Sequence, residues 1–320
     1  MRRMTKMWLI AAVILVFLGL IMFTMVLAAN GWDFKKLGTV QYETNTHTIE
    51  ESFSDISVNT DTADIVLVPA GDGACKVVCH EEVKVKHTVS VQNGTLTIKS
   101  VDERKWYEHI TISFESPKIT VYLPETEYGT LAIQESTGDI EIPKDFVFKN
   151  IDVVSSTGDI NACASALEGI RIKTSTGAIR VENVTAETVE LSVSTGDVNA
   201  SSVNCTGDVT VGVSTGDAIL NGISCKNITA TGSTGNIVLR DTIASGNMSI
   251  KRSTGNVKFE NCDAGELTIK TSTGNVCGSL LSEKIFIARS DTGKIDVPQT
   301  TAGGKCEINT STGNITIELD

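Results

Sequence analysis

The 320-residue sequence predicts an all-β fold: a β-solenoid of about ten coils behind one N-terminal transmembrane helix. Three observations carry this. Ser-Thr-Gly returns at Ser136, Ser156, Ser175, Ser194, Ser214, Ser233, Ser253, Ser272 and Ser311, with Asp291-Thr292-Gly293 filling the one gap, in steps of 19 or 20 residues. Apolar residues keep fixed phases around every copy. A long charge-free run precedes the whole.

The phases define the coil. Five and three residues before the tripeptide stand pairs such as Ile170/Ile172, Val189/Leu191 and Val209/Val211, and four and six after it Ile179/Val181, Ala218/Leu220 and Val257/Phe259. Polar residues such as Arg171, Glu190, Thr210 and Arg180 lie between them. Such alternation is a half-buried strand, so one strand precedes the tripeptide and one follows. A row eleven residues on (Val147, Leu167, Ala186, Cys205, Cys225, Ala244, Ala264, Ala302) predicts a third, narrower face. The tripeptide is the corner, because glycine takes positive φ freely and Ser, Thr, Asp and Asn bond nearby backbone. The corner glycines are Gly138, Gly158, Gly177, Gly196, Gly216, Gly235, Gly255, Gly274, Gly293 and Gly313. Stacked at ~4.8 Å, ten coils make a rod on the order of 50 Å long.

Residues 1–6 read as a cytoplasmic tail carrying Arg2, Arg3 and Lys6, and 7–29 as a transmembrane anchor. Trp8–Ala29 is 22 residues without a charge. That length suits a ~30 Å bilayer core and exceeds the ~7–15 residues of a signal-peptide apolar region, which favours an anchor over cleavage after Val26-Leu27-Ala28. Positive charge ahead of the span places the C-terminal domain outside the cytoplasmic membrane, with Lys35 and Lys36 opposing this just past it. Residues 30–48 read as a polar linker. Residues 49–128 read as an irregular β segment covering the open end of the first coil. Within it, Asp61-Thr62-Ala63 is a degenerate corner flanked by Ile56/Val58 and Ile65/Leu67. Further strands are expected at Val83/Val85, Leu96/Ile98, Ile110/Ile112 and Ile119/Val121/Leu123, with a hairpin turn at Asn93-Gly94. Residues 129–320 are the regular repeats.

Composition narrows function. A net charge of −12 excludes a nucleic-acid binder. The four histidines (His47, His80, His87, His109) all precede the repeats and show no metal-ligand spacing, so they read as ordinary strand or surface residues. From Gly129 onward there is no His, Tyr or Trp. A polysaccharide-cleaving solenoid needs aromatic platforms beside its carboxylates, so no catalytic residue, cofactor or metal site is expected. After the corner glycine stand Asp139, Asp159, Asp197 and Asp217, then Asn236, Asn256, Asn275 and Asn314, with Ala178 and Lys294 as exceptions. The loops that build calcium sites are missing, which favours turn bonding over a cation. The Thr column differs from an ice-binding face in standing at a bend. The eight cysteines fall at mixed phases and read as small buried hydrophobes; Cys205 and Cys225 share a phase and are expected to be neighbours with free thiols.

Together the anchor, the irregular β segment and the Ser-Thr-Gly-Asp/Asn-Ile repeats resemble the bacterial putative-adhesin family, a domain of unknown function with LiaG-like β-strand-repeat members. Particularly similar are Ile119-Thr-Val-Tyr-Leu-Pro124 and Leu131-Ala-Ile-Gln-Glu-Ser-Thr-Gly-Asp-Ile140. The resemblance covers about residues 30–320 and implies a membrane-anchored envelope protein, an adhesin or scaffold whose partner is a cell-envelope or surface component. The alternative is an accessory or sensor of a cell-envelope stress response.

Overall fold

The computed structural model of the chain describes residues 3–33, 38, 40–71, 73–106, 113 and 115–320. Lys35, Lys36, His109 and the Ile110/Ile112 pair lie outside the described residues. The helix Arg3–Ala29 opens the chain, and its Lys6–Ala29 stretch is long and apolar enough to cross a membrane. All else is β.

In the regular coils, strands stack in parallel register upon their equivalents. Ile172, Leu191, Val211, Ala230, Ile250 and Ile269 form one continuous inward column. Ile160, Ile179, Val198, Ala218, Ile237, Val257 and Val276 form a second. Both columns are fully buried. The third face is present too. In the coils from Ser175 to Ser253 the strand after the corner bends at Asn183, Ser202, Gly222, Asp241 or Asn261, all at positive φ. Beyond the bend Val184, Val203, Ile223, Thr242 and Cys262 point inward, followed by the expected row Ala186, Cys205, Cys225, Ala244 and Ala264.

Three members of that expected row depart from it. Leu167 is 60% exposed and Val147 only half-buried, because Ala164, Ala166, Phe146 and Phe148 take the inward places in the first two coils. The ladder slips there between Phe148 and Asn150. Ala302 is exposed, lying outside the strands that flank it.

The linker is shorter than expected, since Tyr42–Ile49 is a strand paired antiparallel with Cys75–Glu82. Asp55–Thr62 and Asp64–Pro69 do form the degenerate coil, stacked on Glu127–Thr137 and Ile140–Ile142. Thr95–Asp102 and Lys118–Leu123 lie on its outer side as a further layer. Cys75–Glu82 and Val85–Gln92 run antiparallel against that layer and cover it. Asn93 and Gly94, both at positive φ, make the predicted hairpin. Val83 sits in the preceding turn, where it is exposed, rather than in a strand.

The far end is ordered differently from the sequence. The strand of the Ser272 coil pairs with Gly304–Thr312, and that strand in turn pairs with Lys284–Thr292. The last repeat is therefore inserted between its two predecessors, and the variant Asp291 corner belongs to the outermost coil. No antiparallel strands cover that coil among the described residues. All eight cysteines are free, Cys205 and Cys225 included.

Candidate functional site

Two arrangements of polar side chains stand out: the ladder along the corners, and a buried network at the covered end. The ten corner glycines have φ between 116° and 154°. At each regular step a Cβ would strike the carbonyl oxygen of the preceding corner glycine, so the glycine row lets coils approach. The Asp/Asn row just beyond it is a chain of side-chain-to-backbone hydrogen bonds. The amide of each following residue donates to the Oδ1 of its predecessor, from Asp139 on Asp64 to Asn314 on Asn275 and Lys294 on Asn314, at 2.6–3.1 Å. The one break follows Ala178, which has no oxygen to offer. Turn bonding thus accounts for the row, but it runs between coils rather than within one. The donated amide of Ala178, aided by Arg180 at 3.0 Å, holds the Asp159 carboxyl below the usual range. Lys294 ends the ladder on the outermost coil.

Outside the glycines run two exposed columns. The threonines Thr137, Thr157, Thr176, Thr195, Thr215, Thr234, Thr254 and Thr273 are in register coil upon coil, with the tripeptide serines beside them. The threonines are the last residues of parallel strands, immediately before the corner glycines.

Behind the corners, one residue before each Ser, a column points inward. It reads Thr60, Glu135, Ser155, Thr174, Val193, Val213, Gly232, Arg252 and Thr271. Two of its members are charged residue types. Arg252 donates to the carbonyls of Gly235 (2.7 Å), Val213 (2.8 Å), Thr234 (2.6 Å) and Gly216, in space left by the missing side chain of Gly232. Glu135 is 4% exposed, and neither oxygen meets a partner with hydrogen-bond geometry. Burial pushes its carboxyl from 4.5 up to about 8, with the Ala63 backbone pulling weakly the other way and Asp64 and Asp139 adding to the rise.

A proton is therefore retained by folded Glu135 at pH values where the unfolded chain has lost it. Stability is expected to fall as pH rises from about 5 to about 8 and to level off above. Glu135→Gln removes the titration. Denaturant unfolding should show the variant more stable than wild type by on the order of a few kcal/mol at about pH 8, and little changed at about pH 5. Equal differences at both pH values would show that the carboxyl is ionised in the fold.

At the covered end the hairpin of Cys75–Glu82 and Val85–Gln92 brings together Cys79, Glu81 and His87, whose ligand-type atoms all lie within 4.8 Å of one another. Sequence spacing hid this, since His87 reaches Glu81 only across the hairpin. His87 is a strand histidine, and it is buried rather than at the surface. Glu81 Oε2 accepts from His87 Nδ1 at 2.7 Å and from the His87 amide at 2.6 Å, Glu81 Oε1 accepts from Asn45 at 2.8 Å, and His87 Nε2 meets Thr60 Oγ1 at 3.0 Å. Tetrahedral metal ligands stand about 3.3–3.8 Å apart, so 2.7 Å is a hydrogen bond. Burial, then the Glu81 charge, pushes the Cys79 thiol up to about 12. His80 is a strand residue bonded to Glu115 at 3.1 Å and stacked on Tyr42.

Tripeptide corners, three inward faces and a covered first coil together define a β-solenoid class of protein. The chain belongs to the Toastrack DUF4097 family, which it matches over residues 53–217 and 206–320. It is similar in fold to a putative adhesin from Parabacteroides merdae (12% identity, 77% of this chain and 98% of that one, TM-score 0.48). A putative adhesin from Bacteroides fragilis (12%, 88% and 97%, TM-score 0.41) is also similar. So is a putative lipid binding protein from Parabacteroides distasonis (12%, 87% and 98%, TM-score 0.40). No curated protein matches the chain.

Proposed function

We propose that this protein is a membrane-tethered, non-catalytic adhesin or cell-envelope scaffold whose solenoid stands outside the cytoplasmic membrane. The observation that carries the reading is the pair of exposed Ser and Thr columns running coil after coil along the corners. A ladder of hydroxyls repeated at ~4.8 Å suits a long polymer, because many weak, equivalent contacts add up along its length. The orientation rests on the basic residues ahead of the helix.

Binding of the full chain, held in detergent, to peptidoglycan, teichoic acid and host glycans tests this, alongside turnover of each. Excision of residues 175–213, two whole coils, is expected to leave a folded, shorter rod that binds more weakly. Those coils are chosen because removing 194–232 would take Gly232 and Gly216 from around Arg252, whereas here both stay and Thr174 moves into the phase of Val213. Turnover abolished by a single carboxylate substitution would sink the non-catalytic reading. Protease added to intact spheroplasts should digest the solenoid; protection until lysis would reverse the topology.

A further inference from the structure

We propose that the open end of the solenoid is a homophilic contact, pairing tail to tail with the same end of a second copy of this chain. Among the described residues the outermost strand Lys284–Thr292 pairs on one side only, with Gly304–Thr312. Its other edge has no strand partner, and an unpaired strand edge is the usual template for strand addition. The coil is also apolar where its neighbours are polar. Ile285 and Ile287 are 45% and 51% exposed. They occupy phases that hold Thr188 and Glu190, Asp208 and Thr210, or Lys305 and Glu307 in other coils. Ile295, a core position by phase, is left 45% exposed.

Charge favours a second copy as the occupant. The chain as a whole is at −12, yet residues 285–296 are balanced, with Arg289 and Lys294 against Asp291 and Asp296, and Lys284 beside them is buried on Asp263. Like molecules therefore repel little at this end. Arg289 and Asp291, both well exposed, already pair at 3.5 Å within the chain. An antiparallel pairing about a twofold axis at Ser290 sets each Arg289 opposite the other copy's Asp291. A twofold pairing of this kind uses the open ends of both copies, so association through it closes at two.

The helix joins the covered end through residues 30–41, so tail-to-tail pairing leaves the two helices at opposite ends of a doubled rod. It could then bridge two membranes. This deepens the adhesion reading and depends on it for that consequence, whereas the pairing itself does not.

The test uses the full chain, in detergent for mass by sedimentation and in lipid vesicles for clustering by light scattering. Wild type is expected to be a dimer and to cluster vesicles. The double variant Ile285→Lys with Ile287→Lys should be a folded monomer, while Leu167→Lys, exposed at mid-rod, should match wild type. Arg289→Asp and Asp291→Arg should each dimerise at least tenfold more weakly, and mixing the two should restore the complex. Wild-type monomer at every concentration, a dimer indifferent to the double variant, or charge variants that fail to complement would each overturn the proposal. A monomer that still binds wall material would sink the pairing alone; a dimer that binds no envelope material would sink the adhesion reading alone.

Discussion

Gly196→Ala is expected to destabilise the solenoid by more than ~3 kcal/mol, a large share of what a domain has to spare. Two separate costs fall on one methyl group. Gly196 has φ 137°, a region that L side chains enter at about 1–3 kcal/mol. Its Cβ would also overlap the carbonyl oxygen of Gly177 and approach the Gly177 carbonyl carbon to 2.7 Å. That obstacle is backbone, so no rotamer relieves it. The coils must separate, which strains the bonds from the Gly177 amide to Thr195 (3.0 Å) and from the Gly196 amide to Thr215 (2.9 Å). Coils contact only their neighbours, so hydrogen exchange should show protection lost first on either side of this corner. Gly212→Ala is the control. It lies on a strand face, with Ser192 Oγ at 3.6 Å and Thr231 Oγ1 at 3.9 Å as the nearest atoms to a new Cβ. Equal losses in the two variants would remove the corner argument.

What the sequence showed and what it hid divide along a physical line. Phase information is local, and each coil repeats it, so the corners, both main inward columns and the degenerate Asp61 coil could be read directly. The bend at Asn183, Ser202, Gly222, Asp241 and Asn261 was readable too. Those residue types share one phase, eight after the Ser, and all tolerate positive φ. It was missed because the apolar row behind it includes Thr242 and Cys262. Contacts between distant segments were not legible. Nothing local places the Ser311 coil inside the Asp291 coil, although the single departure from Ser-Thr-Gly marks the coil that ends the stack. Nor does spacing join Cys79, Glu81 and His87, which meet only when two antiparallel strands fold over the first layers. Glu135 was legible only by extending the alternation: two residues beyond Ile133, it takes the inward phase that Val193 and Val213 hold in other coils.

The same inward phase makes Arg252 the second large effect. Arg252→Met is expected to cost on the order of 3 kcal/mol or more, because it keeps the bulk and removes the donors. The guanidinium is 4% exposed as a residue and serves carbonyls on two successive corners, those of Ser214 and Ser233. Burial pulls its pKa below the ordinary arginine value, with Asp217 acting against that. It is held by carbonyl dipoles rather than by a bonded carboxylate. Methionine would leave the Val213 oxygen in an apolar wall. Arg252→Lys should recover little, since one ammonium on a thin stem cannot span from Val213 to Gly235. Arg180→Met provides the scale. Arg180 is half-exposed and pairs with Asp159 at 3.0 Å at the surface, so its loss should cost below about 1 kcal/mol. Denaturant unfolding of the three variants decides the matter: if Arg252→Met is no worse than Arg180→Met, the arginine is a tolerated passenger, and the glycine at 232 has some other cause.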